Sequence, residues 1–439
     1  MLKRSISGTL ITPDCVVSRW DGNVENEIPN QQFDIAIVGA GGAGLSAAIE
    51  ATIAGVSVMV LTRGDLYDCK TARAQGGIQA SVNKDDSPEN HMRDTLAAGN
   101  QVANPELAKI LAFRARDTVQ WLEKHGVQFD QRDGEYLISK AAGLSHSRVL
   151  SCGDSAGRGI MDAISRTAAD YKVPVREHSA VLKIQKSDGA FLVDVCDVKN
   201  NQTYTIQAGS VIIATGGVVA EEKKAGLVSE QEVTVKVPDG LALAEGLGAK
   251  IVSPELQQFH PTGVVMPELL RRKRIPETVR GDGAKLLNRH GEEFADPLMT
   301  RNELSQRIVD ECRAGNGIET EDGRIGVWLD TPLVESLHGD GYIAKRYPNY
   351  YKMFLEQGHD LAKKRVLVYP IVHYSLGGIE IDVNAMTCVS GLFAAGETTW
   401  GVHGEDRLMG NSLLDIFVFG RIAGQQSAEF VKQANGKSA

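Results

Sequence analysis

Apolar and polar positions along the chain alternate between strand-like and helix-like textures, with one interruption. Positions 34–38 form a short apolar run that predicts a buried strand, 39–54 a glycine-rich turn opening a helix, and 56–61 the next strand. Over 104–125, Leu107, Ile110, Leu111, Val119 and Leu122 recur roughly on one face, which predicts one continuous helix. Positions 180–198 read as a β-hairpin, 210–215 as a buried strand ending in Gly216-Gly217, and 239–247 as a helix. From 261 to about 367 the chain becomes more charged, with helices expected at 303–312 and 342–356. Buried-strand texture returns at 366–369 and 391–395. This order predicts an α/β fold, a Rossmann-like domain interrupted by a smaller α+β capping domain. The expected limits are an irregular leader at 1–32, a first part of the main domain at 33–260, a cap at 261–366, a second part at 367–432 and a tail at 433–439.

Composition narrows the picture. At 439 residues the chain exceeds what one core usually supports, which agrees with two domains. The net charge of −9 argues against a nucleic-acid partner, although a few local arginines can still build a pocket for an anion. Six cysteines, none in CxxC spacing, argue against a disulfide framework, a zinc site, an iron–sulfur cluster or a c-type haem within this chain. They fit the reduced thiols of a cytoplasmic protein. The polar start of the chain lacks the apolar core of a secretory signal. The most apolar stretch, 35–61, divides into strand, helix and strand rather than a membrane span. Glycine is the outlier at 46 residues, much of it clustered, as happens where backbone lies against a ligand.

The first cluster carries chemistry. Gly39-Ala40-Gly41-Gly42-Ala43-Gly44 is a GxGxxG between a strand and a helix. Gly39 makes the turn, Gly41 lets backbone approach a pyrophosphate, and Gly44, beside Ala43, packs helix on strand; the helix N-terminus then faces the phosphates. The next strand ends at Leu61-Thr62-Arg63, without the acidic residue that would hold an NAD ribose, so the usual NAD mode is disfavoured. Thr62, Arg63 and, on the hairpin, Val181 are candidate nucleotide contacts. Ile212-Ile213-Ala214-Thr215-Gly216-Gly217 and Pro238-Asp239-Gly240 point to FAD, with Ala214, Thr215, Gly216 and Asp239 as candidate contacts.

Further motifs follow in order: Thr71-Ala72-Arg73-Ala74-Gln75-Gly76-Gly77, Gln258-Phe259-His260-Pro261-Thr262-Gly263, Arg280-Gly281-Asp282-Gly283, His373-Tyr374-Ser375-Leu376-Gly377-Gly378 and His403-Gly404-Glu405-Asp406-Arg407-Leu408-Met409-Gly410-Asn411-Ser412-Leu413. With these, the chain from 33 to 426 resembles the flavoprotein subunits of fumarate reductase and succinate dehydrogenase, in the superfamily that includes L-aspartate oxidase. The resemblance implies that Gln75, Gly76 and Gly77, after the turn at Thr71 and Ala72, pass beside the isoalloxazine ring. It implies that Glu397 takes a ribityl hydroxyl. Asn411, Ser412 and Leu413 would form a backbone cradle for the ring's carbonyl edge, at the start of a helix through position 419. Lys70 stands where members with covalent flavin have histidine, so FAD is expected to be held non-covalently. Large members continue into a long helical segment beyond the final helix; this chain ends at Ala439, and that segment is expected from another subunit or is dispensed with.

The resemblance also implies a substrate pocket for a small dicarboxylate such as fumarate or succinate. His260, His373 and Arg407 match carboxylate-binding groups, and an arginine fork grips a carboxylate at two points. Arg301 matches the arginine that delivers a proton to the substrate carbon, with Glu277 and Arg280 as its relay. This asks an unusual step of a guanidinium, whose pKa ordinarily exceeds about 12. One position departs: a threonine normally precedes the relay glutamate, and Pro276 stands there, which leaves Thr278 or backbone to replace it. The run Arg271-Arg272-Lys273-Arg274 reads as an exposed loop face, and His91, His125, His146, His178, His290, His338 and His359 receive no functional role.

Two rival functions remain. One is L-aspartate oxidase, suggested by Ser145-His146-Ser147-Arg148-Val149-Leu150; that enzyme carries a glutamate just before this segment, where Lys140-Ala141-Ala142-Gly143 has no acid. The other is a non-catalytic flavin-binding subunit of an electron-transfer complex. With no cluster ligands in the chain, electrons are expected from an iron–sulfur partner subunit. The expected location is the cytoplasm or, through a partner, the inner face of the membrane.

Overall fold

A computed structural model of the chain describes residues 31–153, 156–217 and 239–436; most of the expected leader, the last three residues of the expected tail and Pro238 lie outside these. The apolar runs pair as parallel strands. Gln31–Val38 lies between Val58–Leu61 and Gln202–Ile213, with Val175–Arg176 beyond the first and Leu392–Ala394 beside the end of the second. Ile35, Ile37, Val60, Ile212 and Ala394 are wholly buried, as strands covered on both faces require. The expected hairpin is present as Ser179–Ser187 and Ala190–Asp197, and it extends this sheet antiparallel to seven strands. Register aligns Val38 with both Leu61 and Ile213. The glycine turn, Thr62 and Ala214 therefore emerge together at the carboxyl edge of the parallel strands, where open α/β sheets bind ligands.

The glycine-turn helix, Gly42–Ile53, packs closely on Asn411–Ala434. A side chain at Gly420 would place its Cβ 2.6 Å from the Ala43 carbonyl oxygen, so only glycine permits this crossing. The final helix was expected to reach 419 and instead runs to Ala434, because Ile422, Ala423, Ala428 and Val431 continue its buried stripe.

A second sheet is antiparallel, in the order Gln257–Met266, Val366–Ser375, Ile325–Asp330 and Lys285–Leu287, with Ile318–Glu319 also on Ile325–Asp330. It has its own core, including Val264, Leu286, Leu304, Ile308, Val327 and Phe354. The limits 260/261 and 366/367 drawn from texture cut through or against its two longest strands: pairing runs from Met266–Leu367 to Gln257–Ser375. The strand at 366 is longer than the expected 366–369 because Pro370, His373 and the motif residues beyond disguise its pattern.

Two expected helices are each two helices. The span 104–125 is Pro105–Phe113 and Ala115–Lys124; Arg114, at φ −89° and ψ −1°, bends the chain so that each half lays its own apolar positions on the core. The span 342–356 is Tyr342–Arg346 and Pro348–Leu355, broken at Tyr347 (φ −130°, ψ 56°), because the residue before a proline is pushed out of helical conformation. The helix expected at 303–312 is Arg301–Glu311, started by a capping box in which Thr300 and Glu303 bond reciprocally.

Candidate active site

The first half of the site is a cradle at the sheet edge. Gly39 has φ +111°, where a side chain is strained, and a Cβ there would stand 2.2 Å from the Ala214 carbonyl oxygen. A Cβ on Gly44 would stand 1.8 Å from the Gly39 carbonyl oxygen. The helix that follows has Gly41 as its N-cap and no capping side chain, which leaves its N-terminus able to receive phosphate. Gly42 N–H donates to Thr71 Oγ1 at 3.1 Å, tying the Thr71 turn to this N-terminus. Ala43 is buried against the final helix. Thr62 is half-buried and Arg63 exposed at the end of their strand, and Val181 is buried on the hairpin. Ala214 is buried, Thr215 Oγ1 donates to Thr398 Oγ1 at 3.4 Å, and a Cβ on Gly216 (φ +77°) would meet nothing within 4 Å among the described residues. Asp239 opens the helix Asp239–Gly246, but its side chain lies outside the described residues.

The ring-side residues approach from the other strands. Ala72 and Gly76 are half-buried and Gly77 is buried; Gln75 Oε1 accepts the hydroxyl of Tyr350, which comes from the second domain. Glu397 is buried, and its Oε1 accepts from Lys70 Nζ at 2.6 Å and Ser375 N–H at 3.1 Å. Its Oε2 has no donor among the described residues and remains available to a hydroxyl. The Asn411 side chain turns away, to His91 Nε2 at 2.8 Å and Thr95 Oγ1 at 3.0 Å, so only its backbone can join Ser412 and Leu413 in a cradle. His91 is therefore a structural anchor, held neutral as burial lowers it to about 4. These features fit FAD: a glycine turn and open helix N-terminus for the pyrophosphate, a free carboxylate oxygen for the ribityl chain, and backbone for the ring.

The second half is a buried cluster of guanidiniums. Strand alternation sets Gln258 and His260 on one face of Gln257–Met266. Gln258 is wholly buried, and its Oε1 accepts from Arg301 Nη1 at 3.1 Å and from Arg407 Nη2 at 3.0 Å. One amide thus joins the expected proton donor to an expected carboxylate binder. Its Nε2 donates to the Arg407 carbonyl at 2.7 Å and to Asp406 Oδ1, which fixes which way the amide points. Arg301, the first residue of its helix, turns inward and donates from Nε to Glu277 Oε2 at 2.9 Å. Arg280 is 3.4 Å from that same oxygen, and Ala142 N–H donates to Glu277 Oε1 at 3.0 Å. Arg407 lies over the Tyr374 ring at 4.5 Å. A small opening lies among Glu277, Arg301, Asp406 and Arg407. Arg407 Nε and Arg280 Nε and Nη2 are buried with no hydrogen-bond partner among the described residues, a cost that an anionic ligand can offset.

Electrostatics follow from this crowding. Burial works to raise Glu277, but Arg301 and Arg280 hold it below its ordinary value, as a carboxylate. Burial lowers Arg280 to about 10, against the pull of Glu277, and burial with Arg301 lowers Arg407 to about 10. His260 and His373, whose rings meet edge to face at 5.2 Å, are held well below the ordinary histidine value by burial and then by the surrounding arginines, so both are neutral.

The structure brings His260, His373, Arg301, Glu277, Arg280 and Arg407 into one cluster. Gln258 and Asp406 lie inside the sequence motifs without a role that the motifs themselves give, although spacing i, i+2 from His260 signals that Gln258 faces the same way. The run 271–274 needs correction. Arg271, Arg272 and Lys273 are exposed, but Arg274 is half-buried and its Nη1 donates to His373 Nδ1, because the chain is extended here and its fourth cation points inward.

Comparisons agree with this arrangement. The profile of a family described as an FAD binding domain matches residues 34–413. The matching chain of the fumarate reductase (CoM/CoB) of Methanothermobacter marburgensis is 33% identical over 412 residues, covering 91% of this chain and 73% of that protein. The L-aspartate oxidase of Acinetobacter baylyi is 31% identical over 416 residues, 91% of this chain and 74% of that one. A point variant of E. coli quinol fumarate reductase superposes with a TM-score of 0.81 at 28% identity, over 93% of this chain and 72% of that one. Because the profile spans residues 34–413 and these likenesses cover more than 90% of the chain, the chain belongs to the fumarate reductase and succinate dehydrogenase family of FAD-dependent oxidoreductases acting on CH–CH bonds.

Proposed function

We propose that the protein interconverts fumarate, or a closely related dicarboxylate, and succinate. The observation that carries this reading is the shared amide of Gln258: it holds Arg301 and Arg407 side by side, so that one can meet a substrate carbon while the other holds its carboxylate. His260 and His373, being neutral, donate hydrogen bonds to carboxylate without repelling the arginines or attracting a proton of their own. Three charge-assisted bonds to one carboxylate, each about 1.5–3 kcal/mol, suffice to turn it out of conjugation with the alkene. The alkene carbon is then more electrophilic. FAD held by the glycine cradle and Glu397 would supply the hydride in reduction and accept it in oxidation. Arg301 donates a proton to the neighbouring carbon, and Glu277 and Arg280 return one to it. The low value of Arg280 makes that return less costly than it would be for a solvated guanidinium. The second domain, at 261–366 by the sequence limits, reaches Gln75 through Tyr350 and would cover a bound flavin and exclude water.

FAD is non-covalent in this reading, because Lys70 sits beside Glu397 and offers no imidazole for a histidyl link. In this reading electrons come from a separate iron–sulfur subunit, as the family resemblance implies; among the described residues there is no cluster of potential metal ligands. No described helix is long and apolar enough to cross a membrane, and we place the protein in the cytoplasm or, through that partner, at the membrane's inner face.

L-aspartate oxidase is the second reading, favoured by relatives of nearly equal identity. Against it, the stretch 140–143 contributes a backbone N–H to Glu277 and no acid for a substrate ammonium. One anaerobic experiment separates them. Acid-released flavin should account for all bound FAD; fumarate should restore the oxidised spectrum of the reduced protein; and L-aspartate should not bleach the oxidised one. Bleaching by L-aspartate without a response to fumarate would transfer the assignment to the oxidase.

A further inference from the structure

We propose that Arg274 is a substrate-binding residue that determines specificity, its guanidinium fixing His373 on one side and gripping a substrate carboxylate on the other, in the place that Pro276 leaves empty. The inference rests on the dicarboxylate reading and names a residue for it.

The backbone carries the first step. Val264 N–H donates to the Lys273 carbonyl at 2.8 Å and Ile275 N–H to the Thr262 carbonyl at 3.0 Å, so 273–275 lies extended against 262–264, with Arg274 bridged to Gly263. Pro276 continues extended at φ −54° and ψ 144°. Side chains alternate along such a segment. Ile275 points one way, into the core of the second domain, at 2% exposure. Arg274 and Pro276 therefore share the other face, which is the face of the site. Arg274 turns to His373, and Pro276 borders an opening shared with Gly76, Gly77, Thr278 and Tyr350. A proline offers no donor, and the cation two positions earlier supplies one from the same side.

The second step is what the guanidinium touches. Arginine can only donate, so His373 Nδ1 accepts, and its N–H is on Nε2. Nε and Nη2 of Arg274 have no partner among the described residues. A two-donor edge is left over, the shape that matches a carboxylate. Burial lowers the Arg274 guanidinium, Tyr350 and Glu397 oppose this and Arg301 adds to it, which sets the group between the ring-side carboxylate and the proton donor. A substrate with a neutral group at this end wastes the edge, and one with an ammonium is repelled. The site should therefore prefer two full carboxylates.

The test uses the FAD-loaded protein and malonate, a dicarboxylate that binds without a CH–CH bond to oxidise, beside its monoamide malonamate. Binding is read from the flavin difference spectrum. The native protein should bind malonate at least about tenfold more tightly than malonamate, and Arg274→Met should weaken malonate about 10- to 100-fold while changing malonamate little. Arg274→Lys, which keeps the charge and loses the fork, should fall between. Arg271→Met, which removes an exposed cation 3.9 Å from Glu268, should bind as the native protein does. Equal malonate affinity in the native, Arg274→Met and Arg274→Lys proteins overturns the role of Arg274 alone. Failure of the native protein to bind malonate at all overturns the dicarboxylate reading and this inference with it.

Discussion

Replacing Arg301 with alanine is expected to lower kcat on the order of 10³-fold while FAD stays bound and KM changes little. The residue is 6% exposed and sits at the mouth of its helix, with its fork divided between Glu277 and Gln258. None of its described contacts belongs to the glycine cradle, so cofactor retention should not depend on it. Glu277 would still face Arg280 and accept from Ala142 N–H, so the variant keeps a counterion for its buried carboxylate and should fold. A merely structural arginine would show the reverse pattern: lower thermal stability, a raised KM and a preserved kcat. Lysine at 301 keeps the charge, but one ammonium cannot reach both Glu277 and Gln258 with the geometry of the fork, so it should restore little. Steady-state rates with a reduced dye as donor decide the matter. Turnover within about tenfold of the native rate would remove Arg301 from the role of proton donor.

How far the sequence reveals this site differs between its halves, for a physical reason. The cradle depends on local geometry. Gly39 needs its positive φ and Gly44 its close approach to the preceding turn, and both needs show as glycines at fixed spacing. The cluster depends on contacts between distant segments. Gln258 joins Arg301 and Arg407 from 43 and 149 positions away, and no periodicity reports such a meeting. Motifs named most of its members but did not show that one amide holds two of them. Arg274 misled because four consecutive cations look like a solvated face, and only the pairing of 273–275 with 262–264 reveals that one of them turns inward. The break at Tyr347 was legible in principle from Pro348, whereas the bend at Arg114 has no such marker. Only the start of Val366–Ser375 reads as a strand, because the proline and the histidine within it break its apolar signature.

Arg148 should matter most to stability. The side chain is fully buried, with Nε 2.7 Å from Asp86 and Nη1 2.7 Å from Asp94, whose side chains are 1% and 10% exposed. Asp94 also accepts from Ser145 N–H and Oγ, each at 2.8 Å. Arg148→Met keeps the apolar volume and strands two carboxylates away from water, and breaking a buried pair in this way costs about 3–5 kcal/mol. The pH dependence identifies the cause. Burial alone would raise Asp86, but Arg148 holds it below its ordinary value, so in the native protein this pairing contributes stability above the unfolded carboxylate pKa and loses it as pH falls through the lower folded value. In the variant the cation is gone, burial dominates, and the same carboxyl is raised; its penalty is then present at neutral pH and is relieved by protonation. The stability gap between the two proteins, read from urea midpoints, should be widest near pH 7 and narrow toward about pH 4. A gap that is constant with pH would mean that lost packing, not stranded charge, sets the cost. Because the Arg148 carbonyl accepts from Ala80 N–H at 2.9 Å and the adjacent strand Val149–Leu150 pairs with Ile78–Gln79, the strain reaches the loop at Gly76 and Gly77, and FAD affinity should fall together with stability.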